Sequence, residues 1–397
     1  MSWFVHAVPL PDGDRPVDLW VDRGGCLVRE PVAGAEQLPG HYVVPGLVDA
    51  HAHPMVAGTP SGPVAVDGAE ALDVLARWAA SGVCLVRDAG SPGGSVLGLD
   101  LVPGMPRVQA AGRFLAPPGR YFPALLPQGA PQQRLTELAL AELARGGRWV
   151  KVIADFPPVV DGVPSGPAEP TYSGQAIEAM VAAVHAAGGR VAAHATTGCV
   201  SLLVRAGVDS IEHGTAITEP DLRLMAQAGT AWTPTLCAVL GVPGTAPQAA
   251  RQRAAEHRRR LPELLPLAHR LGVPIMAGTD TAGPLAREIA LLAEHGLGPA
   301  AALQAATTTA YQFLGEPFDQ TGQSATLVTY LDDPRDDLAI LSSPLRSSST
   351  ASASADTAPS PRRQKRATCA RPVRHLVADS PGVPPRWSRR AEKEASS

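Results

Sequence analysis

The stretch Tyr-Val-Val-Pro-Gly-Leu-Val-Asp-Ala-His-Ala-His-Pro, residues 42–54, decides how the rest of the chain is interpreted. Its apolar part, Val43–Val48, predicts a buried strand that runs directly into a His-x-His pair. Alternate residues of a strand point to the same face, so His51 and His53 would project together from the end of this strand. Two neighbouring imidazoles form half of a metal site. A histidine-rich loop after a core strand is the simpler alternative, and the residues downstream decide between the two.

The composition suits a globular protein of one large domain or two. The chain has 397 residues, 45% of them hydrophobic, and its mean hydropathy is close to zero (+0.02). It contains no run of about eighteen apolar residues, so no transmembrane helix is expected. The N-terminus lacks the basic and apolar regions of a secretory signal. The five cysteines are scattered, which is typical of reduced thiols, and these features together predict a cytoplasmic protein.

Charge is distributed unevenly along the chain. The net charge is −3, but the residues after Leu345 include eleven basic and four acidic ones, which leaves −10 on the rest. An acidic body gives no electrostatic support for nucleic-acid binding. Residues 346–397 are rich in Ser, Ala, Pro and Arg without apolar periodicity, which predicts a disordered basic tail. A solvated segment without a role, a basic interaction arm and an out-of-frame C-terminus all fit this composition.

The body of the chain alternates between short apolar runs and helical periodicity. The runs predict strands at Val43–Val48, Val83–Arg87, Arg107–Ala111, Trp149–Ile153, Arg190–Ala193, Val208–Ile211, Ala231–Thr235 and Val273–Ala277. The predicted helices are Ala69–Ser81, Gln132–Arg145, Gly174–Ala187, Gln248–Leu271 and Pro299–Leu314. Eight strands with intervening helices predict an α/β fold, a (β/α)8 TIM barrel over residues 43–315.

The two flanks of this region predict a second, smaller unit. Residues 1–42 carry short apolar patches separated by Pro, Gly and Asp, a pattern typical of hairpins. Residues 316–345 contain the alternating run Ala325–Tyr330, which can return to the N-terminal strands. We therefore expect the N-terminal and C-terminal flanks to form a small β-sandwich beside the barrel.

Polar side chains close five of the predicted barrel strands. They are His51 and His53 after the first strand, Lys151 within the fourth, His194 after the fifth, His213 after the sixth and Asp280 after the eighth. A barrel gathers its functional residues at the carboxyl ends of its strands, so these side chains should meet. Singly, each is typical of a cap or of a satisfied polar group. Together, imidazoles and a carboxylate suit Zn2+.

Lys151 is the single lysine in the first 345 residues, whereas the whole chain has 31 arginines. A protonated lysine cannot ligate a metal, but its neutral amine can take up CO2 and become an anionic carbamate with two ligand oxygens. Arginine cannot do this, because its guanidinium stays protonated. The alternatives are that Lys151 extends to solvent or pairs with Asp155.

The order of these motifs resembles the amidohydrolase superfamily. The phrases Val48–His53, Ser210–Thr215 and Ala277–Asp280 are most similar to its imidazolonepropionase and Xaa-Pro dipeptidase (prolidase-like) branch. The resemblance covers roughly residues 1–345. The chain departs from the usual pattern at its end, where no final strand is expected after Leu345.

This resemblance implies a binuclear metal-dependent amidohydrolase that hydrolyses the C–N amide bond of a small molecule, a dipeptide or a cyclic amide. The implied ligands are His51, His53 and Asp280 for one divalent ion, Zn2+, and His194 and His213 for a second, with carboxylated Lys151 bridging them. A bridging hydroxide would be the nucleophile, and Asp280 would serve as the catalytic base and then acid.

Substrate contacts and other functions stay open at this point. Tyr121, Arg120 and Thr196 are candidates for substrate contact. The nearest alternative is a mononuclear deaminase of aminated heterocycles. That branch places a Glu shortly after the histidine of strand five or six, and neither His194 nor His213 is followed by one. A non-catalytic barrel is the other alternative. Helix faces rich in Ala and Leu leave a homo-oligomer open, and neither a nucleic acid nor a membrane is expected as a partner.

Overall fold

The computed structural model describes residues 1–59, 62–318 and 321–347. Its strands are β1 (Trp3–Pro9), β2 (Val17–Val21), β3 (Leu27–Val28), β4 (Glu36–Gln37), β5 (Tyr42–Pro45), β6 (Leu47–Ala52), β7 (Val56–Thr59), β8 (Gly62–Ala65), β9 (Val83–Asp88), β10 (Arg107–Ala110), β11 (Phe114–Leu115), β12 (Trp149–Ile153), β13 (Asp155–Phe156), β14 (Val159–Val160), β15 (Val163–Pro164), β16 (Glu169–Pro170), β17 (Arg190–Ala195), β18 (Ser210–His213), β19 (Ala231–Thr233), β20 (Leu327–Tyr330) and β21 (Arg346–Ser347).

The helices lie mostly between these strands. They are α1 (Gly68–Ala80), α2 (Leu135–Ala144), α3 (Gly174–Ala186), α4 (Val200–Arg205), α5 (Glu219–Ala228), α6 (Leu236–Leu240), α7 (Gln248–Leu271), α8 (Leu285–Leu292), α9 (Pro299–Ala305) and α10 (Thr308–Leu314). Short 3-10 helices occupy Pro92–Gly98, Gln132–Arg134 and Leu338–Ser342, and a π-helical turn occupies Ala293–Leu297. None of the helices in the described part of the chain is long and apolar enough to cross a membrane.

Two parallel sheets form the centre of the molecule. One has the order β10-β9-β6 and the other has the order β11-β12-β17-β18-β19. Every residue of β6, β9 and β12 is buried, as expected for parallel strands that are covered on both faces. The predicted strand Trp149–Ile153 is confirmed residue for residue, and the strand predicted at Val208–Ile211 lies two residues further on, at Ser210–His213.

A seven-stranded sheet joins the two flanks of the chain. Its order is β21-β20-β5-β1-β2-β3, with β4 paired to β1. The run Ala325–Tyr330 returns to the N-terminal strands as predicted, because β20 pairs antiparallel with β5. Arg346 pairs with Thr329, so the expectation that no strand follows Leu345 was wrong for β21. Residues 348–397, the rest of the expected tail, lie outside the described residues.

The predicted strand Val43–Val48 is two strands that belong to different sheets. β5 joins the seven-stranded sheet and β6 joins a parallel sheet, with Gly46 between them. The Gly46 amide donates to Thr326, and the next amide, that of Leu47, donates to Gly82. A Cβ at Gly46 would lie 2.4 Å from the Cys84 Sγ atom, so only glycine fits at this crossing.

The predicted third strand, Arg107–Ala111, is confirmed as β10, which is one residue shorter. The chain then turns at Gly112, where φ is +73°, and β11 follows. The predicted eighth strand, Val273–Ala277, is not a regular strand. Its Ile275 makes an isolated parallel bridge to Trp232 in β19, and Asp280, just after the segment, makes one to Ala52 in β6. The Ala277 amide of this segment donates to the Ala305 carbonyl instead of to a neighbouring strand.

The last predicted helix, Pro299–Leu314, is divided into α9 and α10. The carbonyls of Ala305 and Ala306 accept hydrogen bonds from Ala277 and Val48, at 2.9 and 2.8 Å. These carbonyls are therefore not available to continue the helix, and Thr307 has non-helical backbone angles. The break ties α9 and α10 to the strands that carry His51 and Asp280.

Candidate metal centre

The six side chains predicted as metal ligands lie around one cavity of ≈350 Å³. His51, Lys151, His194 and His213 are on β6, β12, β17 and β18, His53 follows β6, and Asp280 follows the bridging segment. We call His51, His53 and Asp280 the first ligand group, and Lys151, His194 and His213 the second ligand group. The structure therefore brings together all of the predicted ligands, although the first, His51, and the last, Asp280, are 229 positions apart in the sequence.

The first ligand group is compact. One ligand atom from each of its three residues lies within 4.8 Å of the others, and His53 Nε2 is 3.4 Å from Asp280 Oδ1. The Asp280 amide donates to the His51 carbonyl at 2.7 Å, which ties the carboxylate to the strand that bears the histidines. Asp280 has φ of +58°, an unusual conformation for a residue other than glycine. Strained backbone of this kind often occurs at functional sites.

Hydrogen bonds fix how the two histidines of the first ligand group are turned. His53 Nδ1 donates to the Gly90 carbonyl at 2.7 Å, and His51 Nδ1 donates to the Glu212 carboxylate. Because Nδ1 carries the proton in both rings, each Nε2 keeps its lone pair for a metal ion. Partners of this kind orient ligating histidines in metal sites generally.

Glu212 is itself held by a buried arginine. Arg87 Nη2 donates to both Glu212 oxygens, at 2.7 and 2.8 Å, and Arg87 Nε donates to the Ala50 carbonyl at 2.5 Å. Burial by itself would raise the pKa of Glu212, but Arg87 and His51 lower it well below its usual range. Glu212 is therefore ionised, and its carboxylate can accept the hydrogen bond from His51 Nδ1. Sequence reasoning missed both residues, although a charged side chain inside an apolar strand, as at Arg87, is a recognisable signal.

The second ligand group has a different set of partners. His213 Nδ1 is 2.7 Å from Thr235 Oγ1. Because the Thr235 hydroxyl donates to the Pro234 carbonyl, His213 Nδ1 is the donor and Thr235 Oγ1 the acceptor in this hydrogen bond. His213 Nε2 is left with its lone pair. His194 lies beside it, with 4.5 Å between the ring centroids, and its Nε2 is 3.8 Å from Asp155 Oδ1.

Burial keeps the four imidazoles neutral. It lowers the pKa of His53 to about 3, and it lowers the pKa of His194 to about 4 although Asp155 acts in the opposite direction. The pKa values of His51 and His213 are well below the usual range, again because of burial. Neutral imidazole is the form that binds a metal ion, so the donor set fits a divalent cation.

Lys151 is 1% exposed, and its Nζ has no hydrogen-bond partner among the described residues. Burial lowers its pKa to about 8, although Glu212 acts to raise it. The burial of Lys151 contradicts the alternative in which it reaches solvent. Its unpartnered Nζ contradicts the alternative in which it pairs with Asp155, which instead accepts hydrogen bonds from Thr196 and Thr197. A buried amine without a partner fits a group that gains its partners on becoming a carbamate.

The three predicted substrate contacts have different positions. Tyr121 lines the cavity, and its ring centroid is 6.4 Å from that of His194. Thr196 also lines the cavity, but its amide and hydroxyl donate to Asp155. Arg120 is not among the described lining residues, because it donates to the carbonyls of Glu169 and Pro170.

The donor set of four neutral imidazoles, one carboxylate and a buried lysine, on or next to parallel strands, is typical of a metal-binding α/β protein. Residues 42–319 match the model of the amidohydrolase family, and the chain belongs to this family. The assignment made from the sequence motifs is thus confirmed, and with it the activity class, a hydrolase that acts on carbon–nitrogen bonds.

Two kinds of relatives are similar to the chain over most of its length. An uncharacterised protein of Mycobacterium tuberculosis (strain ATCC 25618 / H37Rv) is 36% identical over 352 residues, which cover 86% of this chain and 92% of the relative. A Xaa-Pro dipeptidase with methionine bound in its active site has a TM-score of 0.72 and 22% identity, covering 87% of this chain and 97% of that one. A prolidase in complex with N-methylphosphonate-L-proline has a TM-score of 0.71 and 24% identity, covering 86% and 95%. The solved structures share the fold of this chain.

Proposed function

We propose that the protein is a binuclear metal-dependent amidohydrolase that hydrolyses a C–N amide bond of a small molecule. The observation that supports this most is Lys151, a buried amine without a hydrogen-bond partner, surrounded by four neutral histidines and Asp280. A site for a single ion, held by the first ligand group alone, would leave this buried amine without a partner. A carbamate on Nζ would turn this amine into an anionic group with two ligand oxygens.

The first ligand group would hold one divalent ion, Zn2+, and His194 and His213 would hold the other. The carbamate of Lys151 would contribute to both. When bound, two such ions polarise a substrate carbonyl and supply a nucleophilic water molecule at neutral pH. No serine or cysteine nucleophile is required.

The chain's own residues would orient the substrate and move the proton. Asp280 lines the cavity, and burial raises its pKa to about 6. Its carboxylate would accept a proton from the attacking water and donate it to the leaving nitrogen. Burial raises the pKa of Tyr121 well above its usual range, so its phenol stays protonated and would donate to the substrate carbonyl or amide.

The same proposal extends to the architecture. The isolated bridges of Ile275 and Asp280 connect β19 to β6, which supports one closed (β/α)8 barrel over residues 43–315. The seven-stranded sheet would then be the small β-sandwich formed by both flanks.

Metal analysis and carbamate detection test the proposal directly. Purified protein is loaded with Zn2+ and ¹³C-bicarbonate, and a panel of dipeptides and cyclic amides is screened. We expect about two ions per chain, a ¹³C carbamate resonance and release of the amine product. Less than about half an ion per chain after loading would contradict the proposal. Release of ammonia from an aminated heterocycle, with a single ion bound, would indicate the deaminase instead.

A further inference from the structure

The cavity above the two ligand groups has an apolar wall. Three segments build it: the β7–β8 hairpin, the loop after β11, and α6. Their apolar lining residues are Val56, Pro63, Phe122, Leu125, Ala238 and Val239. The volume of ≈350 Å³ is near the lower end for small-molecule pockets, so it accommodates a ring with a short substituent beside the reacting amide.

Aromatic packing makes this wall rigid. The centroid of the Tyr121 ring lies 5.0 Å from that of Phe156 and 5.3 Å from that of Phe122, in edge-to-face contacts. The rings of Phe122 and Phe156 are 5.0 Å apart. Packed rings of this kind form a preformed surface for an apolar group and have no charge to offer an ionic one.

Among the described residues, the wall offers no cation to an anionic substrate group. Lys151 is the only lysine or arginine among the described residues that line the cavity, and it belongs to the second ligand group. The arginines near the cavity are engaged elsewhere. Arg120 donates to the carbonyls of Glu169 and Pro170, and Arg260 Nη1 donates to the Thr215 carbonyl.

We propose that the substrate is a neutral amide with an apolar, ring-sized group and no carboxylate beside the scissile bond. A carboxylate placed against this wall would lose its hydration without gaining a cation from the described lining residues, and such burial is costly. Between the two substrate classes named from the sequence, the wall thus favours cyclic and other neutral amides over free dipeptides. The reaction in this inference rests on the proposed function, whereas the substrate class rests on the apolar wall alone.

Matched pairs of compounds test it. N-phenylacetylpyrrolidine and N-phenylacetyl-L-proline share one scissile amide and differ by a single carboxylate. For the Zn2+-loaded protein we expect kcat/KM to be at least about tenfold higher for the pyrrolidine compound. The sulfonamides N-benzylsulfonylpyrrolidine and N-benzylsulfonyl-L-proline resist hydrolysis, and calorimetry should give a similar ratio of binding constants.

The two measurements separate the two claims. If neither amide is hydrolysed but the neutral sulfonamide still binds more tightly, the substrate class holds and the hydrolytic function fails. Equal or tighter binding of the proline sulfonamide, or binding of neither, overturns the substrate class whatever the hydrolysis results show.

A cation added to the wall should weaken the preference for the neutral compound. Val239 is half-buried in α6, so in Val239→Lys the new ammonium can enter the cavity. The preference for the neutral compound should fall by at least about tenfold in this variant. Val160→Lys is the matched control, because Val160 is 55% exposed on β14 and does not line the cavity. An unchanged ratio in a folded Val239→Lys variant would contradict the role of the wall.

Discussion

The first and second ligand groups lie around the same cavity but are held in different ways. In the first, both histidines donate from Nδ1 to a fixed acceptor, and Glu212 is anchored in turn by Arg87. In the second, Thr235 fixes His213, but Lys151 Nζ has no partner among the described residues. The first group is thus oriented by hydrogen bonds within the protein, whereas in the proposed function the second would be completed by CO2 and metal. We infer that the first ion binds more tightly and that the second depends on the carbamate.

The largest effect should come from removing the amine that distinguishes the second ligand group. Lys151→Ala and Lys151→Arg should both bind about one ion per chain and lose about three orders of magnitude in activity, because several kcal/mol of transition-state stabilisation are lost. Mass spectrometry of bound metal and initial rates measure this. Arg223→Ala, in an exposed ion pair on α5, is a control that should behave as the parent protein does. Full activity in Lys151→Arg would contradict the carbamate.

Removing the charge that supports the first ligand group should have the next largest effect. In Glu212→Gln, His51 no longer faces a carboxylate, so the affinity for the first ion should fall by ~10–100-fold. The buried Arg87 also loses its counter-ion, which should cost about 3–5 kcal/mol in the free energy of unfolding. Chelator competition and urea unfolding measure the two quantities.

A second substitution separates these two consequences. Glu212→Gln combined with Arg87→Met removes the unpaired charge, so the free energy of unfolding should recover while the metal affinity stays low. If the double variant regained full metal affinity, Glu212 would act on stability alone.

A smaller effect should follow from Thr235→Val, which removes the acceptor of the His213 proton. The second ion should bind about tenfold more weakly, at the lower end for partners of this kind, and the first ion should be unaffected. Stepwise Zn2+ titration resolves the two sites. Thr235→Ser keeps the hydroxyl and should behave as the parent protein does. Equal weakening of both ions would show that the two groups are not independent.

The smallest effect on metal binding is expected for Asp155→Asn. Asp155 accepts hydrogen bonds from the amides and hydroxyls of Thr196 and Thr197, and an Asn amide group would oppose one set of these donors. The free energy of unfolding should fall by about 1–3 kcal/mol. Both metal affinities should stay within about threefold, because Asp155 is 3.8 Å from His194 Nε2 and does not fix that ring. A loss of the second ion would assign Asp155 to the second ligand group.

Some of the fold could be predicted from local pattern and some could not. Trp149–Ile153 and Gln248–Leu271 are confirmed to the residue, because an apolar run and a 3.6-residue period are local properties. The break at Gly46 depends on contact with Cys84. The division of Pro299–Leu314 into two helices depends on the amides of Val48 and Ala277, which come from distant parts of the chain.

The sequence by itself predicted which side chains would meet at the cavity. His51, His53 and Lys151 were identifiable because several imidazoles, a carboxylate and a solitary lysine recur on successive predicted barrel strands. Only the tertiary structure decided what supports and surrounds them. Arg87 reaches Glu212 across 125 positions, and the apolar wall collects side chains from three separate segments. The physical reason is that a strand end is a local feature, whereas a hydrogen-bond partner or a cavity wall exists only once the chain has packed.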